Sequence, residues 1–420
     1  MKVRSIRGFH DILPEDINRW YHIEDRAKRS FALYGYREIR TPVLEFTEVF
    51  ARSIGAATDI VEKEMYTFTD RDGSSLTLRP EGTAGVVRAY IESSMYTKAP
   101  VTKLYYTGMM FRHERPQKGR YRGFYQIGAE LFGSEAPESD TELIAMIDGF
   151  FDALGLGESI TLELSSLGDG ECRPAYKTML TDYFTGRREE LCDDCRRRLD
   201  TNPLRILDCK QKSCTGASKD APKMLDNLCA GCAEHLRRVR ESLDSIGVLY
   251  EINPKIVRGL DYYTRTVFEF TTDQLGAQNA VAAGGRYDGL VKELGGPETP
   301  AVGFAMGIER IVLLHKQVAP GDFGKEVDVY IAYLGEEARK AAFSLARELR
   351  SAGARTEADY GGKSLKSQMK RADKSGARYT IIIGEEELKA GVVKLRDMEK
   401  SSEDEVSVEG LKKLALDLNT

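Results

Sequence analysis

The chain has 420 residues, enough for two or three domains with separate cores, and its 41% hydrophobic and 30% charged content is that of an ordinary water-soluble globular protein. With 61 Lys+Arg against 66 Asp+Glu the net charge is −5, which excludes generic adhesion to polyanions and leaves nucleic-acid contact to local patches. No apolar run approaches the roughly 20 residues of a membrane span, MKVRSIRGFHDILPED has no apolar signal core, and seven cysteines, an odd number, argue against a disulfide framework and for a reducing cytoplasm.

In chain order, Glu15 to Tyr34 predicts an amphipathic helix, with Ile17, Trp20, Ile23, Ala27 and Phe31 at helical spacing. Pro42 makes YREIRTPVLEF an extended stretch that is not a central strand at the proline. MYTFTDRDGSSLTLRPEGT reads as two short strands about a D-G turn, running into a helix capped by Thr83. Lys103 to Gly133 reads as a second hairpin, YYTGMMFRHE and YRGFYQIGAELFG about a basic loop. Strands follow at SITLELSSLG, VLYEINP and YYTRTVFEFTT; AAGGRYDGLV offers a glycine turn at Gly284 and Gly285; PAVGFAMGIERIVLL passes from strand to helix. Hairpins with helices between them make 1–170 and 248–320 an α+β domain on a mainly antiparallel sheet. Residues 171–247, helical, basic and holding all seven cysteines, read as an inserted helical subdomain. After the Pro/Gly linker QVAPGDFGKE, strands and helices alternate over 326–420 as a small α/β domain.

The basic loop raises the question of a ligand. Arg112, Arg115, Lys118, Arg120 and Arg122 fall within eleven residues, with only Glu114 to offset them. Strand alternation puts Arg112 and Glu114 on one face of the first strand, and Phe124, Gln126, Gly128 and Glu130 on the same face of the second. That face is either a solvated sheet surface or a nucleotide site, with guanidinium on phosphate and Phe124 stacked on a base. Arg258, before Gly259, and Arg310, in the first turns of the helix after Gly307, are two more candidate anion contacts. There is no G-x-x-x-x-G-K-[ST] and no G-x-G-x-x-G after a strand, so P-loop and Rossmann chemistry are excluded.

Taken together, TPVLEFTEVF, FRHERPQKGRYRGFYQIGAE and AVGFAMGIER resemble motifs 1, 2 and 3 of the class II aminoacyl-tRNA synthetases. LRPEGT, RGLDYYTRTVFE and AAGGRYDG resemble stretches of the histidyl branch, and the likeness extends over the insertion and a C-terminal domain of anticodon-binding type. The resemblance implies ligation of L-histidine to tRNA(His) through a histidyl-adenylate, with ATP as substrate and Mg2+ beside it, in a cytoplasmic homodimer. It implies Arg112 and Arg258 as the catalytic pair about the α-phosphate, Arg120 and Arg310 on the β/γ end, Phe124 under adenine, and Glu114 near a metal or the adenine edge. For histidine it implies Glu81 and Tyr263 on the ring, with Thr83, Gln126, Glu130, Arg258, Tyr262 and Tyr287 around them. For tRNA it implies Gln117 and Arg122 at the acceptor end, and Lys363, Lys366 and Lys370, with Lys374, along a C-terminal helix face. The plainer reading of those lysines is a solvated face. Two rival functions are a regulatory subunit of ATP phosphoribosyltransferase, which lacks the C-terminal domain, and a non-catalytic synthetase-like tRNA or histidine sensor.

The cysteines admit a metal. Cys192-x-x-Cys195, Cys209-x4-Cys214 and Cys229-x-x-Cys232 have zinc-like spacings, with His235 close behind. The expected ligands of a structural zinc are Cys192, Cys195, Cys229 and Cys232, two knuckles closing one tetrahedron. Six cysteines exceed what one zinc takes, and the resembled family's insertion is not a zinc domain. On balance the sequence favours packed thiols over zinc.

Overall fold

The computed structural model describes residues 3–55, 58–276, 279–321, 323, 327–407 and 410–411. They fall into two compact units, Met1–Gly321 and Asp322–Thr420.

The first unit is built on an eight-stranded sheet in the order Arg37–Glu38, Thr102–Phe111, Gly123–Phe132, Ala301–Gly307, Ala280–Arg286, Thr264–Thr271, Thr161–Ser166, Glu251–Ile252. Neighbours are antiparallel except at the two ends, where the two-residue strands run parallel. The predicted hairpin is its longest ladder, from Thr102↔Phe132 to Phe111↔Gly123, so Arg112 and Glu114 lie just past the strand end. One face is covered by the helices Pro14–Leu33, Pro137–Ala153, Ala230–Ser245 and Ile308–Val318. The first of these buries Trp20, Ile23, Ala27 and Phe31, the stripe its sequence spacing predicts. Phe31 meets Phe150 and Phe304 edge-on or tilted, joining two helices to a central strand.

The Gly284–Gly285 pair is not a turn but sits inside the strand Ala280–Arg286. A Cβ at Gly284 would lie 2.3 Å from the Gly303 carbonyl, and one at Gly285 would lie 2.6 Å from that of Thr266. The glycines let neighbouring strands close up, a need that periodicity does not signal.

Within the insertion, Arg173–Thr185, Asp193–Thr201 and Lys212–Ala217 are helices around a separate core of Tyr176, Leu180, Phe184, Leu199 and Ile206. Leu236, Val239 and Leu243 of the following helix, Ala230–Ser245, pack into the main core instead. Polar bonds tie the insertion down: Arg173 to Tyr263 O (2.9 Å), Arg198 to Asp59 (2.9 Å), Asn202 to Asp261 (3.2 Å) and Arg205 to Gly259 O (2.6 Å).

The second unit has a five-stranded sheet in the order Thr356–Ala358, Val329–Tyr333, Tyr379–Ile383, Val392–Asp397, Ser402–Ser407, parallel over the first three strands and antiparallel beyond. The helices Glu336–Ser351 and Leu365–Lys374 fit the alternation read from the sequence, which has one helix ending at Ser351 and another starting at Ser364; Glu385–Ala390 and the last strand are additions to it. Residues 322 and 324–326 of the linker and 408–409 and 412–420 of the predicted domain lie outside the described residues. No described helix is long and apolar enough to cross a membrane.

Candidate functional site

A cavity of about 360 Å³ opens on the sheet face away from the covering helices. Arg112, Arg120, Arg258 and Arg310 all line it, although 198 residues of sequence separate the first from the last. Each is aimed by a bond made at its own base or by a carboxylate. Arg112 donates Nε to Pro80 O at 2.8 Å, and its guanidinium lies 5.5 Å from the centre of the Phe124 ring. Arg310 donates Nε to Gly119 O at 3.1 Å and an outer nitrogen to Ala280 O. Arg120 is paired with Glu114, and Arg258 with Glu269 while resting 5.4 Å from the Tyr263 ring. Burial raises the Glu114 carboxyl against the pull of Arg120 and Arg112.

Glu81, Thr83, Gln126, Tyr262 and Tyr263 line the cavity beside the arginines. The helix Thr83–Glu92 starts here, and its cap is not Thr83 as the sequence suggested. Glu81 takes that role, its carboxylate accepting the Thr83 and Ala84 amides at 2.7 and 2.9 Å. Burial nonetheless holds Glu81 above the usual carboxylate range. Thr83 is freed to donate its hydroxyl to Glu130 at 2.7 Å. Glu130 and Tyr287, expected around the ligand, stand behind the wall: the carboxyl is fully buried, accepts the Tyr287 hydroxyl, and is pushed up to about 8 by burial. Gln126 Oε1 and Arg258 Nε are buried without a partner among the described residues, two groups left for a ligand to satisfy.

Tyr121, Glu309 and the backbone of Ala280–Ala283 also line the cavity and were not singled out in the sequence. Glu309 could have been, since it adjoins Arg310. Its carboxyl, pushed up to about 7 by burial, accepts the Tyr125 amide at 2.8 Å.

The residues expected to meet tRNA lie elsewhere. Gln117 is exposed at the tip of the basic loop, bonded through its backbone to Arg120. Arg122 is half-buried and committed to a brace, donating Nε to Glu114 O at 3.0 Å while its own amide holds Gly8 O. In the second unit Lys363, Lys366, Lys370 and Lys374 are exposed, with Leu365, Met369 and Ala372 turned inward.

The expected metal ligands do not come together. Cys192 and Cys195 gather with Cys209 and Cys214, whereas Cys229 and Cys232 gather with Cys172 and Asp169. The two knuckles open different helices, Asp193–Thr201 and Ala230–Ser245, so they cannot share one centre. His235 is no ligand here; its Nε2 bonds Asp140 at 2.7 Å in the core.

Comparison with known proteins places the sequence and the fold. The histidyl-tRNA synthetase profile matches residues 8–168 and 198–311, and an anticodon binding domain profile matches 328–418. The histidine--tRNA ligase of Syntrophotalea carbinolica is 54% identical over 419 residues, covering 99% of both chains. That of Geobacter sulfurreducens is 55% identical over 96% of this chain and 97% of its own. The crystal structure of apo Staphylococcus aureus histidyl-tRNA synthetase superposes with a TM-score of 0.82 at 36% identity, covering 99% of this chain and 100% of that one. On sequence and fold, the chain belongs to the histidyl-tRNA synthetase family.

Proposed function

We propose that the protein ligates L-histidine to tRNA(His) in two steps, with the adenylate formed in the 360 Å³ cavity. The observation that carries the site assignment is the convergence of four arginines on the same cavity as Glu81, Gln126 and Tyr263. In the first step a histidine carboxylate oxygen attacks the α-phosphorus of ATP, and the bond to the leaving diphosphate breaks. No base is needed, because the carboxylate is already ionised. What limits the reaction is bringing two anions together and stabilising charge on the phosphoryl oxygens, which fixed arginines do without reorganising. Arg112 and Arg258 take the α-phosphate, Arg120 and Arg310 the diphosphate end, and Phe124 the adenine face. In the second step a hydroxyl of the terminal ribose attacks the acyl carbonyl, and AMP leaves.

The family implies a divalent metal with ATP, and Mg2+ fits the donors present. Glu114 is the carboxylate among the phosphate-facing arginines, and Mg2+ commonly binds one or two carboxylates plus phosphate oxygens. Its charge would offset the diphosphate that leaves. For the substrate ring, Glu81 accepts from one imidazole nitrogen while the Tyr263 hydroxyl donates to the other. Gln126 Oε1, without a partner among the described residues, accepts from the amino group.

Self-association through the small sheet Leu44–Phe46, Ser75–Leu78, Tyr66–Thr69 is part of this reading. Phe46 and Phe68 pair across Leu76 on one face and are 61% and 46% exposed, an apolar surface that a second copy would cover. The C-terminal anticodon-type domain favours tRNA charging over a purely regulatory subunit. The test is ATP–diphosphate exchange with each amino acid in turn, then charging of tRNA(His). Exchange driven by histidine alone, followed by charging, is the expected result; no exchange with any amino acid would point to the regulatory or sensor reading.

A further inference from the structure

The insertion holds two clusters of sulfur that the adenylate chemistry does not use. In the first, the Sγ atoms of Cys192, Cys195, Cys209 and Cys214 all lie within 4.8 Å of one another. Cys192 and Cys209 are 3.9 Å apart, and the Cys192 amide points at Cys214 Sγ at 3.2 Å. In the second, Asp169 joins Cys172, Cys229 and Cys232. Cys172 and Cys232 are 3.8 Å apart, and Asp169 Oδ1 is 3.7 Å from both Cys172 Sγ and Cys229 Sγ.

These separations are the edges of a metal tetrahedron. Zinc–sulfur bonds of about 2.3 Å give sulfur–sulfur edges of ~3.8 Å, and a carboxylate oxygen at about 2.1 Å gives mixed edges of ~3.6 Å. A disulfide needs its sulfurs at about 2.05 Å and joins two of them, not four. Packed thiols donating to Asp169 Oδ1 are the alternative for the second cluster, but packing alone gives no reason for four ligand atoms in each cluster to draw within 4.8 Å of one another. The outer oxygen of Asp169 lies 3.4 Å from Arg265, the kind of outer partner that orients a ligating carboxylate. Cys195, Cys214, Cys172 and Cys232 are buried, and the other three cysteines are half-buried, so neither cluster keeps an open position for substrate.

The geometry points to two structural zinc sites in each chain, one on Cys192, Cys195, Cys209 and Cys214 and one on Asp169, Cys172, Cys229 and Cys232. Each ties together segments that are distant in sequence. The first closes the loop from Cys209 onto the start of the helix Asp193–Thr201. The second joins the chain leaving the strand Thr161–Ser166 to the start of the helix Ala230–Ser245. Because Arg173 follows Cys172 and donates to Tyr263 O, the second site also steadies a wall of the cavity.

Elemental analysis and native mass spectrometry of the full-length protein, purified without chelator, test this. The expected result is about two zinc ions per chain, falling to one in Cys209→Ser, one in Cys229→Ser, and none in the double variant. Should a variant fail to fold, titrating the wild-type thiols with a mercurial beside a zinc-sensing dye must release the same two ions. Total zinc below about 0.2 per chain leaves packed thiols and overturns both sites. A wild-type total of one zinc overturns one of the two sites, the first if the ion is kept in Cys209→Ser and the second if it is kept in Cys229→Ser, and iron in place of zinc overturns the assignment of metal.

Discussion

Arg258 combines the features that make a residue hard to replace: it is largely buried, paired with Glu269, close to the Tyr263 ring, and its Nε has no partner among the described residues. Arg258→Ala should lower the rate of adenylate formation by on the order of 10²-fold or more, while calorimetry still registers histidine binding. Near-normal diphosphate exchange would sink the assignment. Glu130 predicts a pH effect. Its folded value of about 8 lies above the ordinary 4.5. Its neutral form therefore contributes stability that is full below about pH 4.5 and is lost as the pH rises through about 8. At ~1.4 kcal/mol per unit the loss is on the order of a few kcal/mol. Glu309, raised to about 7, acts in the same direction, so the readout is the difference between wild type and Glu130→Gln. The wild-type Tm should fall more steeply between pH 5 and 8 than that of the variant, and parallel curves would refute the assignment. The arginines were legible in the sequence because Arg112 and Arg120 stand in a dense basic run, Arg258 beside Gly259 and Arg310 in the first turn of the helix after Gly307. The depth of Glu130 was not legible, since alternation along its strand gives the face a residue takes but not what covers that face.

The basic hairpin and the lysine helix show how far an element can be read from sequence. Alternation gave the correct faces of the hairpin, but only the fold reveals that Arg122 is spent on bracing Glu114 O and Gly8. Gln117 is therefore the cleaner probe of the acceptor end. Gln117→Ala should depress tRNA charging far more than diphosphate exchange, whereas Arg122→Ala should damage both, and equal loss for Gln117→Ala would place tRNA elsewhere. On the helix Leu365–Lys374, changing Lys366, Lys370 and Lys374 to Ala should weaken tRNA binding. It should also flatten the salt dependence by about 0.7–0.9 in log–log slope for each phosphate that no longer meets a lysine. An unchanged slope would make the stripe a solvated face. Parts of other elements were illegible for a physical reason. The helix Pro137–Ala153 carries an apolar stripe of Leu143, Ile144, Ile147, Phe150 and Phe151, but the Ser139, Asp140 and Thr141 that it also buries are marked by no periodicity.

At the scale of the whole molecule the two units have cores of their own, Val329, Ile331, Ala342 and Ile381 serving the second and the large cluster about Phe31 and Phe150 the first. A chain ending at Gly321 should keep histidine-dependent exchange and lose most tRNA charging. Full charging by the truncated chain would deny the second unit any part in tRNA binding. The two larger sheets also have rims, and a bare rim invites a neighbouring chain to add a strand. The eight-stranded sheet ends on Arg37–Glu38 and Glu251–Ile252, each two residues long and too short to template an added strand. The five-stranded sheet ends on the three-residue strand Thr356–Ala358 and on Ser402–Ser407, whose SEDEVS sequence carries three carboxylates into any stacked copy. Each termination is therefore a guard against fibrillar stacking, one that keeps the chain dispersed when many copies crowd together.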